Sequence, residues 1–243
     1  MNKHKSPIKA YKNLEFLNSR EARVIRILSE YLEPLKRLRD FKVNNTVLFF
    51  GSARISSESN NSQMKEYYWE AEKLSYMLAQ WAIDLKKKGK NFVICTGGGG
   101  GFMEAANRGA SRAGGKSIGM NISIPEEQEP NHYISPELCF EFHYFFMRKF
   151  WLAYKAKAII AFPGGFGTLD EIFEILTLVQ TKKVNKKDIF IMLYGEEYWK
   201  ELVDFDVMVQ RGTISPEDLD LFRFCSDPDK AFRILKENLG QHL

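Results

Sequence analysis

The sequence predicts an α/β protein built on a parallel β-sheet flanked by helices and preceded by a helical extension. Three observations predict it. From residue 46 onward, short apolar runs alternate with helix-length amphipathic segments, the rhythm of strand, crossover and strand. The first of these runs, Thr46-Val47-Leu48-Phe49-Phe50, is continuously apolar, which suits a strand covered on both faces. Two later runs feed glycine-rich bends, Thr96-Gly97-Gly98-Gly99-Gly100-Gly101 and Pro163-Gly164-Gly165-Phe166-Gly167-Thr168, and each bend leads into a helix-like segment.

Residues 14–40 place Leu14, Leu17, Val24, Ile27, Leu28, Tyr31, Leu35 and Leu38 mostly three or four positions apart. This spacing predicts an amphipathic helical region that bends or restarts at Pro34 and packs on the main domain or on a partner subunit. Residues 1–45 are assigned to this extension and 46–243 to the main domain. The strand at 46–50 ends at Gly51-Ser52-Ala53-Arg54, and a polar loop at 55–62 leads into a long helix through Tyr68, Ala71, Leu74, Leu78 and Trp81. A strand at 91–95 enters the first bend, followed by a helix at 102–113 and a strand at 117–122. A loop carrying Pro125, Glu126, Glu127, Glu129 and Pro130 precedes a strand at 138–142 and an aromatic helix at 144–154. A strand at 157–162, a helix at 169–180 and a strand at 188–194 follow. The tail reads as helical near 197–209 and 229–239, with turns at Gly212 and Pro216. No internal repeat or long linker calls for another domain.

Composition sets the bounds. At 243 residues, 44% hydrophobic and 27% charged, the chain has the make-up of an ordinary soluble globular protein with a full core. Its net charge of +4, from 35 basic and 31 acidic residues, is too small for a nucleic-acid groove. The runs Lys86-Lys87-Lys88, Lys182-Lys183 and Lys186-Lys187 read as solvated helix ends and loops. Cys95, Cys139 and Cys225 are far apart and odd in number, which points to reduced thiols in a cytoplasmic protein. With no CxxC and with His4, His132, His143 and His242 scattered, a zinc site lacks support. No apolar stretch approaches the roughly 18 residues of a membrane span, and the basic start lacks the apolar core of a secretory signal.

The bends carry the chemistry. Glycine lets the chain turn where a side chain would clash and lets a phosphate approach backbone amides, so two such bends can surround one anion. A purely structural tight turn is the competing reading of the first bend. That bend lacks the lysine of a Walker A loop, and no ribose-binding acid follows it as in a dinucleotide fingerprint. In the second bend Thr168 is the expected N-cap, with Asp170 and Glu171 in the first helical turn. Glu171 lies close enough to meet a ligand held there, whereas Glu174 reads as an ordinary early-helix acid. Arg148, within Phe142-His143-Tyr144-Phe145-Phe146-Met147-Arg148-Lys149-Phe150-Trp151, can offer its donor fork to a phosphate or to ribose hydroxyls. Tyr144, Phe145 and Trp151 read as core, and His143 fits a structural or a ligand role equally.

Four segments together resemble the LOG (lonely guy) family: Gly51-Ser52-Ala53-Arg54; residues 96–110, from the first bend through Phe102-Met103-Glu104-Ala105-Ala106-Asn107-Arg108-Gly109-Ala110; Phe146-Met147-Arg148-Lys149; and residues 163–171. The resemblance runs from about residue 46 to residue 200. Gly100, where longer members usually carry proline, and the N-terminal extension depart from it. It implies a Rossmann-like fold, a homodimer, no cofactor, and cleavage of the N-glycosidic bond of a purine nucleoside 5'-monophosphate. By the same resemblance Arg148 and Glu171 are the catalytic pair, and Gly164, Gly165, Gly167 and Thr168 form the phosphate loop. Ser52, Gly98, Gly99, Gly101, Glu104, Met147 and Lys149 are the further substrate-contacting positions it implies.

These lines converge on a hydrolase that converts AMP or an N6-modified AMP to free base and ribose 5-phosphate, without nucleic acid or membrane as partner. A fixed carboxylate such as Glu171 suits the positive charge that develops near C1' and O4' as a ribosyl C–N bond breaks. The competing classes are a nucleotide- or cofactor-binding carrier without turnover and an NAD(P)-linked enzyme using the first bend. Lysine decarboxylation has no support, because no cofactor-bearing lysine can be argued from these residues.

Overall fold

The apolar runs become strands β1 (Thr46–Phe50), β2 (Val93–Thr96), β3 (Ser117–Ile122), β4 (Cys139–Phe142), β5 (Ala156–Ala161), β6 (Phe190–Tyr194) and β7 (Arg223–Cys225). The helices are α1 (Leu14–Asn18), α2 (Arg23–Asp40), α3 (Ser62–Lys86), α4 (Phe102–Arg112), α5 (Phe145–Tyr154), α6 (Phe166–Gln180), α7 (Glu196–Leu202), α8 (Phe205–Gln210) and α9 (Pro228–Gly240). This computed structural model describes residues 7–125 and 129–240. Glu126 and Glu127 of the expected acidic loop, His4 and His242 lie outside the described residues.

The sheet has the order β4-β3-β2-β1-β5-β6-β7, and every pairing is parallel. β1 is central, with Leu48 opposite Cys95 on one side and Ile159 on the other. Alternation along the strand divides the core in two. Leu48 and Phe50 meet the layer containing Leu38 of α2, Trp151 of α5, Ile172 of α6 and Trp199 of α7. Val47 and Phe49 meet Leu74 of α3, Ala106 of α4 and Leu235 of α9. Both faces of the sheet are therefore covered, which suits the mainly apolar central strands β1 and β6.

Three expectations are corrected. Residues 223–225 form a short edge strand; with one arginine in three residues it carries no pattern of its own and is defined by pairing to β6. The tail helix expected near 197–209 is two helices, because Asp204 caps a new start by accepting the Val207 N–H at 2.9 Å. Finally, the extension does not break at Pro34. The interruption falls at 19–22, where Arg26 Nη1 donates to Leu17 O and Ser19 O at 2.6 Å each.

Pro34 sits inside α2 and has no N–H to give to the carbonyl of Glu30, one turn earlier. Trp151 Nε1 from α5 donates to that carbonyl at 2.9 Å. The Glu30 carboxylate in turn accepts the N–H groups of His143 at 2.8 Å and Tyr144 at 3.2 Å, the amides that open α5. Glu30 thus has its orphan carbonyl satisfied from α5, and its carboxylate accepts the two amides just before that helix. Replacing Glu30 with alanine is expected to cost about 1–2 kcal/mol. Urea denaturation should show this as a lower midpoint at unchanged slope.

Candidate functional site

β1 and β5 are neighbours, yet the chain continues from β1 toward β2 and from β5 toward β6 on the opposite side. At such a reversal the crossovers diverge and leave a crevice beyond the carboxyl ends of the strands. A cavity of about 730 Å³ occupies it, lined by Gly51-Ser52-Ala53-Arg54 after β1 and Gly164 through Glu171 after β5, and by Met103, Phe145, Arg148, Tyr198 and Leu202. Another hollow, of about 480 Å³, lies by the first residues of β6 and β7, at the opposite end of the sheet, and mixes Lys186, Asp220, Arg223 and Glu237.

The second bend is built to leave amides free. The Ser52 N–H donates to Pro163 O at 2.9 Å, locking the ends of β1 and β5 together, and Tyr198 donates its hydroxyl to Gly164 O at 2.8 Å. A side chain on Gly164 would run into Thr168 and the Ser52 amide. The N-cap of α6 is Gly165, which accepts the Leu169 N–H at 3.0 Å and offers no capping side chain. The amides of Phe166, Gly167 and Thr168 therefore have no intrahelical acceptor, at a helix end that favours negative charge. This corrects the expected start of the helix: Thr168 is a buried residue inside the first turn rather than the cap, and Asp170 and Glu171 follow in the next turn.

The first bend does something else. None of Gly97 to Gly101 lines the cavity. The Gly98 amide is taken by Thr96 Oγ1 at 3.0 Å, and Asn131 Nδ2 donates to Gly98 O and Gly99 O at 3.0 and 2.9 Å. Gly98 and Gly101 hold φ of 81° and 66°, and a Cβ at Gly101 would collide with Ser52 O. The two bends therefore do not line one cavity here: the first packs against the β1 loop, where the Phe102 N–H donates to Ser52 O at 3.2 Å.

What the first bend holds is Arg148. The guanidinium donates through Nε to Met120 O at 2.7 Å and through Nη2 to Gly97 O at 3.4 Å, so the ends of β2 and β3 aim it into the cavity. Its Nη1 lies 3.8 Å from Glu171 Oε1, close enough to interact as an ion pair without a hydrogen bond. Glu171 is buried. Burial pushes its carboxyl up to about 7, against the downward pull of Arg148 and Lys149, and Glu174 and Asp170 add to the rise. Burial also lowers Arg148 from its ordinary value, which still leaves an arginine charged.

The other expected contacts divide. Ser52, Gly164, Gly165, Gly167 and Thr168 line the cavity; Gly98, Gly99, Gly101, Glu104, Met147 and Lys149 do not. Glu104 accepts from Tyr68 Oη at 3.2 Å, and Met147 is in the core. Lys149 bridges Asp170 Oδ2 at 2.7 Å and Glu174 Oε2 at 2.9 Å. Tyr144 and Trp151 are buried as expected, but Phe145 is exposed and lines the cavity, because the first turn of α5 projects beyond the sheet. His143 is exposed and packs edge-on against Tyr144. Arg54, Phe166 and Tyr198 were not singled out. The quoted segment 51–54 carried a signal for Arg54, whereas nothing near Tyr198 did so.

A doubly wound parallel sheet with its cavity at the strand-order reversal defines a Rossmann-like α/β protein. Solved structures agree: the molybdenum cofactor carrier protein of Chlamydomonas reinhardtii matches 81% of this chain and 99% of its own with TM-score 0.53 and 18% identity. A molybdenum cofactor binding protein of Rippkaea orientalis matches 81% of this chain and 98% of its own, also at TM-score 0.53 and 18% identity. These are likenesses of fold. A family model described as "Possible lysine decarboxylase" matches residues 103–235, more than half of the sequence, and the chain belongs to this family, the LOG family. The cytokinin riboside 5'-monophosphate phosphoribohydrolase LOG1 of Arabidopsis thaliana is 32% identical over 174 residues, 70% of this chain and 79% of that protein. Two probable cytokinin riboside 5'-monophosphate phosphoribohydrolases of Oryza sativa subsp. japonica, LOGL5 and LOGL2, are 28% and 30% identical over 65% and 66% of this chain. The matched region spans 60% and 66% of those two rice proteins.

Two outcomes follow from the glycines and the carboxylate. Gly101→Ala is expected to cost about 3 kcal/mol, from a left-handed backbone and a backbone collision. Gly167→Ala, where a Cβ meets nothing within 4 Å, should be no less stable than wild type in the same urea titration. The folded protein holds the Glu171 proton up to about 7, whereas an unfolded glutamate releases it near 4.5, so stability is lost as pH rises between those values. The melting temperature of Glu171→Gln relative to wild type is therefore expected to climb from pH 5 to pH 8, read by calorimetry.

Proposed function

We propose that the protein is a phosphoribohydrolase that cleaves the N-glycosidic bond of AMP or an N6-modified AMP, releasing free base and ribose 5-phosphate. The observation that carries this reading is the buried Glu171 carboxyl facing Arg148 across a cavity that also receives the free amides of α6. The names of the LOG relatives support the same class of reaction.

The 5'-phosphate would sit on the amides of Phe166, Gly167 and Thr168, which places the sugar over Arg148 and Glu171. As the C1'–N9 bond breaks, its electron pair leaves with the base, which takes up a proton, and a water oxygen bonds to C1'. The ionised Glu171 faces the positive charge that grows on C1' and O4' and orients that water. Arg148, fixed by two carbonyls, holds the sugar phosphate and steadies the departing base. Self-association as a homodimer fits the exposed Val24 and Leu28 of α2 and the exposed Phe146 and Phe150 of α5, a contiguous apolar surface on two packed helices.

Chromatography of AMP and isopentenyl-AMP incubated with the protein should show free base and ribose 5-phosphate in equal amounts. Glu171→Ala should lose about a thousandfold in kcat/KM, and wild-type kcat/KM should fall about tenfold per pH unit below about 7. Light scattering on the same preparation should give twice the chain mass. Intact nucleotide alongside tight nucleotide binding would assign the carrier role instead.

A further inference from the structure

Residues 148 and 149 of α5 point at the same stretch of α6 but at different side chains. Arg148 faces Glu171, while Lys149 Nζ sits 2.7 Å from Asp170 and 2.9 Å from Glu174. At about 100° per residue, positions 170, 174 and 171 fall in that order within one arc of about 100°. Three carboxylates therefore share one stripe of α6. Two cations from consecutive residues of α5 oppose them.

Lys149 does not line the cavity, and its side chain is only 18% exposed. Both of its partners are acids on α6. A substrate contact would have to break two short ion pairs to recruit it. We propose that Lys149 is a positioning residue that clamps the first turns of α6 onto α5 and pairs with the two carboxylates beside Glu171, so that Arg148 is left to Glu171.

The inference rests on the phosphoribohydrolase reading for its catalytic consequence, but the clamp itself can be measured without turnover. The charged groups that face Glu171 are Arg148 and Lys149 from α5 and Asp170 and Glu174 from α6; Arg54 and Tyr198 share its cavity. Deleting the Lys149 charge leaves Asp170 and Glu174 unopposed. Like charges at this range favour the protonated carboxyl.

Carboxyl-carbon NMR of the free protein, with the Glu171 signal assigned through Glu171→Gln, reads the effect directly. Lys149→Met should raise the Glu171 midpoint by about one pH unit, and Lys149→Arg should return it. The acidic limb of kcat/KM should move by the same amount, with kcat about fivefold lower at pH 7 and KM within about twofold. A KM that rises about tenfold while the limb stays in place would make Lys149 a substrate contact and overturn the inference, as would an unmoved NMR midpoint. Should Lys149→Met fail to fold, the double variant Asp170→Asn/Glu174→Gln must lower the midpoint, and an unmoved midpoint again overturns the clamp. If wild type does not hydrolyse nucleotides while the NMR midpoint shifts as stated, the functional reading falls and the clamp stands.

Discussion

The site depends on one buried guanidinium held by backbone. Arg148 reaches from α5 to Met120 O on β3 and to Gly97 O in the bend directly after the neighbouring strand β2. An arginine keeps its charge even where burial lowers its proton affinity, so a permanent cation stands beside Glu171. Without it, burial would hold the Glu171 carboxyl further up. The opposition of burial and Arg148 leaves Glu171 near 7, where a modest change in the surrounding charge decides its protonation.

The two glycine bends look alike in sequence and divide the work. The first, with left-handed residues at Gly98 and Gly101 and its Gly98 amide already spent on Thr96, is rigid internal packing that presents Gly97 O to Arg148. The second leaves the opening amides of α6 without acceptors at the cavity. What separates them is their surroundings: the second bend lines the cavity, whereas the first packs against Ser52 and carries Gly97 O to Arg148. Glycine content alone carries no information on that point.

The extension belongs to the same mechanical unit as the site. α2 tolerates Pro34 because Trp151 supplies the missing donor, and Glu30 repays α5 by capping its first amides. The helix that carries Arg148 and Lys149 is therefore anchored at one end by a residue more than 100 positions earlier. A chain segment that reads as a separate amphipathic piece is, in energetic terms, the support of the helix that carries Arg148.

Read alone, the chain determined strands of the sheet: 46–50 and 117–122 emerged with the limits expected of them, the first as an apolar run covered on both faces. It also nominated Arg148, Glu171 and the second bend, whose residue types carry their chemistry with them. Only the tertiary structure decided that β7 is a strand, that α6 opens at Phe166, that the first bend packs on the β1 loop and that Lys149 turns away from the cavity toward two acids. Each of those outcomes depends on a partner distant in sequence: a pairing edge, a satisfied amide or an opposing charge. Local patterning records what a residue can do, and packing chooses which of its possible partners it meets.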